Sequence, residues 1–271
     1  MSYLKPQELV RVKQLIDIFK LDEVDQLIER FEEEKGHTLH DMILVRLLKC
    51  ELLSIRGLHG EIVKIAEQAH KESLKLGKNI LTVDMLLIMA DALLNLDQID
   101  EAQKIIKEGE ELLKTLILEL PTEYKQRNSY IAWLKGCVYT EKNDFDQAIK
   151  QLELSLSLRE ELGNKVEIAR SLYAIAYVFM VQKKNLKLCS KYMERCMVIA
   201  EESGHKEVMG LTLYYMGLLY RVKGEFDRRI EVCERSCTIF HEIENKFMEA
   251  RVLATLGESF GVKGELDRSI S

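Results

Sequence analysis

Gly136-Cys-Val-Tyr139, Ala176-Tyr-Val-Phe179, Gly217-Leu-Leu-Tyr220 and Gly257-Glu-Ser-Phe260 occupy one recurring slot, set 40, 41 and 40 residues apart in a chain of 271. After the slot comes a turn and a new helical start: Asn143-Asp-Phe-Asp146, Gly224-Glu-Phe-Asp227 and Gly264-Glu-Leu-Asp267. An acid in such a turn caps the following helix, and the apolar residue between acids anchors the turn in the core. Working backwards, Asp97-Gln-Ile-Asp100 with Ala102 fits, as does the segment from Gly57 to Ile62; the small residues ahead of them, Ala90 and Cys50, are again 40 apart. Gly36, Gly77, Gly163 and Gly204 each follow a helical run, where glycine closes a helix C-terminus. The unit is therefore helix, short turn, helix, short turn, and a period of this length marks a helical repeat array.

The composition agrees. Only Pro6 and Pro121 could break helices, and 47% hydrophobic with 31% charged residues leaves ample material for a core. The net charge of −6 argues against nucleic acid, which calls for a basic face. The short clusters Lys183-Lys184 and Arg228-Arg229 read as solvated helix surface. No secretory signal opens the chain, and the most apolar stretch, Leu112 to Leu120, is too short to cross a bilayer. Six cysteines at small or apolar repeat positions read as core residues of a reduced, cytoplasmic protein.

Residues 1–37 are expected to form a degenerate helix pair, marked by Leu21-Asp-Glu-Val24. The repeat array is expected over 38–271, with units near 38–77, 78–120, 124–163, 164–204, 205–245 and an incomplete 246–271. An insertion around Pro121, in 114–128, lengthens the third unit and predicts a local distortion. Ser271 falls about one turn into a second helix, so a fragment or an end completed by a partner is expected, along with self-association through an uncapped end.

These residues resemble the tetratricopeptide repeat family, in the long-repeat class of kinesin light chains, spindle-orientation adaptors and prokaryotic signalling regulators. The resemblance implies an all-α fold, a right-handed α-α superhelix of about six helix pairs plus an incomplete seventh. The family wants small residues where helices approach closely. Its eighth position here holds Cys50, Ala90, Gly136, Ala176, Gly217 and Gly257. The twentieth holds Ala102, Ala148, Cys189 and Ser269, and the twenty-seventh Ala69, Gly109, Ser155, Cys196 and Ser236. Ile62 and Arg229 depart from the twentieth-position rule, and the arginine must either snorkel to solvent or leave its unit loosely packed.

No catalytic constellation is present. Phosphate-loop and nucleophile-elbow motifs are missing, and carboxylates fall on polar helix faces. His37 and His40 lack partners for a metal, and Cys189, Cys196, Cys233 and Cys237 fill packing slots better than a zinc site. Neither an enzyme nor a cofactor is expected.

In this family the first helix of each repeat lines a concave groove. Carried onto this chain, the groove positions supply Tyr130, Trp133, Arg170, Tyr173, Tyr177, Tyr214, Arg221 and Arg251 as candidate peptide-binding residues. Trp133, Tyr173 and Tyr214 share one slot in successive repeats and predict an aromatic ladder, the residue class richest in binding hot spots. The lysine and asparagine with which chaperone-binding members clamp a C-terminal carboxylate are absent at these slots. The expected partner is a protein or peptide, apolar or aromatic and partly basic, and the expected role a scaffold. The alternative is the sensor arm of a larger signalling or transcription regulator.

Overall fold

The structure is a computed structural model, which describes residues 7–34, 36–77, 80–116 and 121–270, with side chains through Gly264. It is all-helical, and no strand occurs among the described residues. Six helix pairs follow one another: α1 Gln7–Asp17 with α2 Leu21–Glu33, α3 Leu39–Ile55 with α4 His59–Ser73, and α5 Ile80–Asn95 with α6 Ile99–Lys114. Then come α7 Pro121–Glu141 with α8 Phe145–Leu162, α9 Lys165–Val181 with α10 Leu186–Ser203, and α11 Lys206–Lys223 with α12 Phe226–Glu242. A single helix, α13 Lys246–Ile270, follows, and one 3-10 turn, Leu74–Leu76, extends α4.

One local device closes the first helix of every pair. Phe19, Gly57, Asp97, Asn143, Lys183 and Gly224 all adopt positive φ. The next amide then donates five residues back, as Gln98 to Leu93, Asp144 to Tyr139 and Glu225 to Tyr220, each at 2.9 Å. This satisfies carbonyls that the helix end leaves open and turns the chain sharply enough for the second helix to fold back. The second helices end comparably: Gly163 and Gly204, at φ 70° and 63°, hold left-handed conformations that cost an L-residue energy. Asn164 and His205 immediately cap the next first helix through their side chains.

The chain divides into two compact units at residues 138 and 139, inside α7. In the first, helices α1 to α6 pack on their sequence neighbours around one continuous apolar cluster running from Leu9 to Val138. In the second, α8 through α13 pack in sequence order, and α9 also touches α11.

The small-residue slots carry the close contacts. Cys50, Ala69, Ala90, Ala102, Ala148, Ser155, Ala176, Cys189, Cys196 and Ser236 are all at most 1% exposed. Several also satisfy polar groups in the core: Cys189 Sγ meets the Ala176 carbonyl at 3.3 Å, and Ser236 Oγ donates to the Gly210 carbonyl at 2.8 Å. A Cβ at Gly217 would stand 2.5 Å from Cys233 Sγ, so α11 and α12 approach closely only because that side chain is missing.

Two expectations change. Arg229 does not snorkel to solvent: it is 1% exposed, and its Nη2 donates to Glu258 on α13 at 2.6 Å. The turn expected at Gly264-Glu-Leu-Asp267 is absent, because the backbone runs helical from Lys246 to Ile270. Propagating an existing helix adds one hydrogen bond per residue, whereas a new one must nucleate. At the insertion, Pro121 opens α7 at the position where a missing amide hydrogen costs nothing, and α7 reaches 21 residues. Residues 117–120, the Ser269 slot and Ser271 lie outside the described residues or side chains.

Candidate binding face

The candidate residues fall into two groups, one in each unit. In the first unit, Tyr130 and Trp133 lie three residues apart on α7, and their rings stack with centroids 5.8 Å apart. Tyr130 donates its hydroxyl to Asp91 Oδ2 on α5 at 3.0 Å, which fixes the ring. Both side chains are half-buried. Nearby on the same helices, Arg127 grips Asp84 with two bonds of 2.8 Å, a planar fork matched to a carboxylate.

In the second unit, Tyr173 and Tyr177 stand four residues apart on α9, so they share a face. Tyr173 stacks on Tyr215 of α11 at 4.8 Å, and Tyr177 meets the same ring edge-on at 5.8 Å. Tyr214 packs edge-on against Tyr215 at 5.5 Å. Arg251 of α13 then lies over the Tyr214 ring at 5.4 Å and over Phe247 at 5.7 Å. Helices α9 and α11 thereby contribute four contacting rings, and Arg251 links them to Phe247 of α13. Offset and edge-on pairs of this kind are worth about 1 kcal/mol each beyond their burial.

The ladder differs from its expected form. The ring stacked on Tyr173 is that of Tyr215, and Trp133 stacks on Tyr130 within the first unit. Tyr173 and Tyr214 are only 7% and 6% exposed, so they are largely packed into the unit. Tyr177 and Tyr215 remain half-buried, and Arg221 and Arg251 are exposed. The part of this cluster exposed to solvent is therefore the Tyr177–Tyr215 edge with its flanking arginines. Sequence reasoning missed Tyr215 and Phe247 because it sampled fixed repeat slots. The doublet Tyr214-Tyr215 was the available signal, since neighbours on a helix point about 100° apart and can line one surface together.

The arginines are already engaged. Arg170 pairs with Glu207 of α11 at 3.3 Å and with Glu167 at 3.5 Å. Arg221 pairs with Glu258 of α13 at 3.4 Å. Each bridges a first helix to the first helix of the next repeat, 37 residues on, so these charges position helices as well as facing solvent. Burial pushes the Tyr173 phenol well above its usual range. Burial also raises Tyr177, with Glu141 and Tyr214 adding to the effect and Arg251 and Arg221 opposing it. Both phenols stay protonated at neutral pH.

Elsewhere, His37 stacks on Phe31 at 3.7 Å, just ahead of the box in which Thr38 and Asp41 cap α3. All six cysteines are free, and among the described residues no three histidine, cysteine or acidic side chains gather as metal ligands. Burial pushes the Cys50 thiol to about 12 and those of Cys189, Cys196 and Cys233 to about 11. Among the described residues no helix is long and apolar enough to cross a membrane.

Comparison with known proteins places this architecture. Residues 130–162 match the tetratricopeptide repeat family model, and no curated protein matches the chain in sequence. Among solved structures, a Rap protein complexed with competence and sporulation factor superposes with a TM-score of 0.69 at 13% identity, over 97% of this chain and 73% of that one. Aspartyl phosphate phosphatase F from Bacillus subtilis gives 0.59 at 14%, over 96% and 82%. The signal transduction ATPase with a tetratricopeptide repeat sensor from Pyrococcus horikoshii gives 0.63 at 15%, over 94% of this chain and 38% of that one. At such identities the likeness is one of fold. The protein has a tetratricopeptide-like helical-repeat fold.

Proposed function

We propose that the chain is a non-catalytic binding module that holds a peptide or short helix against the aromatic face of its second unit. The observation that carries this reading is the Tyr173–Tyr215–Tyr214 ring cluster, whose buried members fix Tyr177 and Tyr215 as half-exposed contacts beside Arg221 and Arg251. Rings held by their neighbours lose little freedom on binding, so most of their burial energy goes into affinity. The rings suit apolar or aromatic side chains, and the carboxylate of Glu141 beside Tyr177 suits a basic residue. Tyr130 and Trp133 form a second, smaller aromatic surface on the first unit.

A sensor role is the second reading, and the shared fold with the Rap complex and with the sensor-bearing ATPase favours it. In that case the same face would take an effector peptide, and binding would act on an attached domain.

Selection from a random displayed-peptide library tests the primary reading. Peptides enriched on the parent protein should be lost on Tyr177→Ala/Tyr215→Ala, with circular dichroism confirming that the variant remains helical. Equal retention by a folded variant would remove the binding role from this face.

A further inference from the structure

A second surface stands out through its charge. In four of the six second helices, the second residue is aspartate: Asp22, Asp100, Asp146 and Asp227. Aspartate belongs there, since the helix N-terminus carries partial positive charge. In α10 the same position holds Lys187.

The consequence shows one repeat later. Asp227 of α12 pairs with Lys263 of α13. Forty residues back, the same two places hold Lys187 of α10 and Lys223 of α11. An ion pair in one repeat is thus replaced by two lysines in its neighbour. Lys223 instead donates to Ser190 Oγ at 2.8 Å. Among the described residues Lys183, Lys184, Lys187 and Lys191 make no ion pair, and all are exposed.

Three of these lysines, Lys187, Lys191 and Lys223, line a concavity. Leu186, Lys187, Ser190, Lys191, Glu194 and Lys223 line an open cavity of about 460 Å³ along two turns of α10. Glu194 is its one acid and closes one end. Segment 183–191 carries four lysines and no acid in a chain whose net charge is −6. Concentrating like charge where the fold elsewhere builds an ion pair costs stability, and such local conflicts mark functional sites.

We propose that this cavity is a docking site for an acidic segment of a partner polypeptide, whose carboxylates span Lys187 and Lys223 in place of the missing aspartate. The cavity is open and extends along the helix, so a small anion there keeps most of its water. A chain bearing several carboxylates engages Lys187, Lys191 and Lys223 together, and its binding weakens as salt screens the charges. This site is independent of the tyrosine face.

The test uses the full chain and a fluorescein-labelled hexaglutamate peptide, with binding read by anisotropy at low salt. Lys187→Asp restores the aspartate pattern and pairs with Lys223; it should weaken binding at least tenfold without lowering the melting temperature. Lys104→Asp on α6 makes the same change in net charge and should bind within twofold of the parent. Equal weakening by both variants would reduce the effect to net charge and overturn the site, as would unchanged binding by Lys187→Asp. Inorganic phosphate should compete no better than sodium chloride of equal ionic strength. Specific displacement by phosphate would make this a small-anion site and overturn the peptide assignment.

Discussion

Arg229 of α12 is 1% exposed, and its buried guanidinium is tied to the half-exposed carboxylate of Glu258, one helix further along the array. The bond joins the last complete helix pair to α13. Glu258 also receives Arg221, so one acid serves a buried and an exposed arginine. Glu258→Gln should therefore cost about 2 kcal/mol in urea unfolding at pH 7, because it leaves a buried charge without its counter-ion.

The same pair has a pH signature. The hydrogen bond from Arg229 holds the Glu258 carboxyl below its ordinary value of 4.5, with partial burial acting in the opposite direction. The unfolded chain takes up this proton first as pH falls. The stabilisation is therefore complete well above pH 4.5 and is lost as pH falls through the lower, folded value. The stability gap between parent and Glu258→Gln should be full at pH 7 and should shrink steadily as pH is lowered below 4.5, as measured by denaturant titration across that range.

Gly217 and Cys233 test the close approach of α11 and α12. Gly217→Ala would place a Cβ 2.5 Å from the sulfur and should destabilise by about 2 kcal/mol. Cys233→Ala in the same chain removes that sulfur and should recover most of the loss. A double-mutant cycle measures the coupling, and simple additivity would show that the two residues do not meet.

Glu244 closes α12 at φ 57°, a conformation in which an L-side chain is strained. Glu244→Gly relieves about 1–2 kcal/mol of that strain and gives back part of it in unfolded-chain entropy. A net gain of about 0.5–1 kcal/mol is expected, read as a rise of a few degrees in melting temperature.

Buried thiols with raised proton affinity react slowly. At pH 8, Ellman's reagent should titrate no more than Cys137 and Cys237 in the native protein, the two that are only half-buried. All six should react in guanidinium.

Much of this was legible because repetition tests itself. The 40-residue spacing of Gly136, Ala176 and Gly217 locates the first helices, since only small residues permit those contacts, and Gly163 and Gly204 mark helix ends through their left-handed backbone. What escaped the pattern depends on contacts between repeats. A slot-by-slot reading cannot show that Tyr215 sits between Tyr173, Tyr177 and Tyr214, because that follows from the stagger of α9 against α11. Nor can it show that Glu258 reaches Arg229 from the next helix. Lys183 hid a left-handed turn because lysine, unlike glycine, gives no conformational signal. Gly264 gave a false one, since a glycine within a helix costs only about 1 kcal/mol and does not compel a turn.

The position at which a ligand binds tests the aromatic face most directly. Backbone amide chemical-shift mapping with a selected peptide should perturb α9, α11 and α13 around Tyr177, Tyr215 and Arg251, and these shifts should vanish for Tyr177→Ala/Tyr215→Ala. Perturbations confined to helices that do not carry these residues would contradict the proposed aromatic binding face.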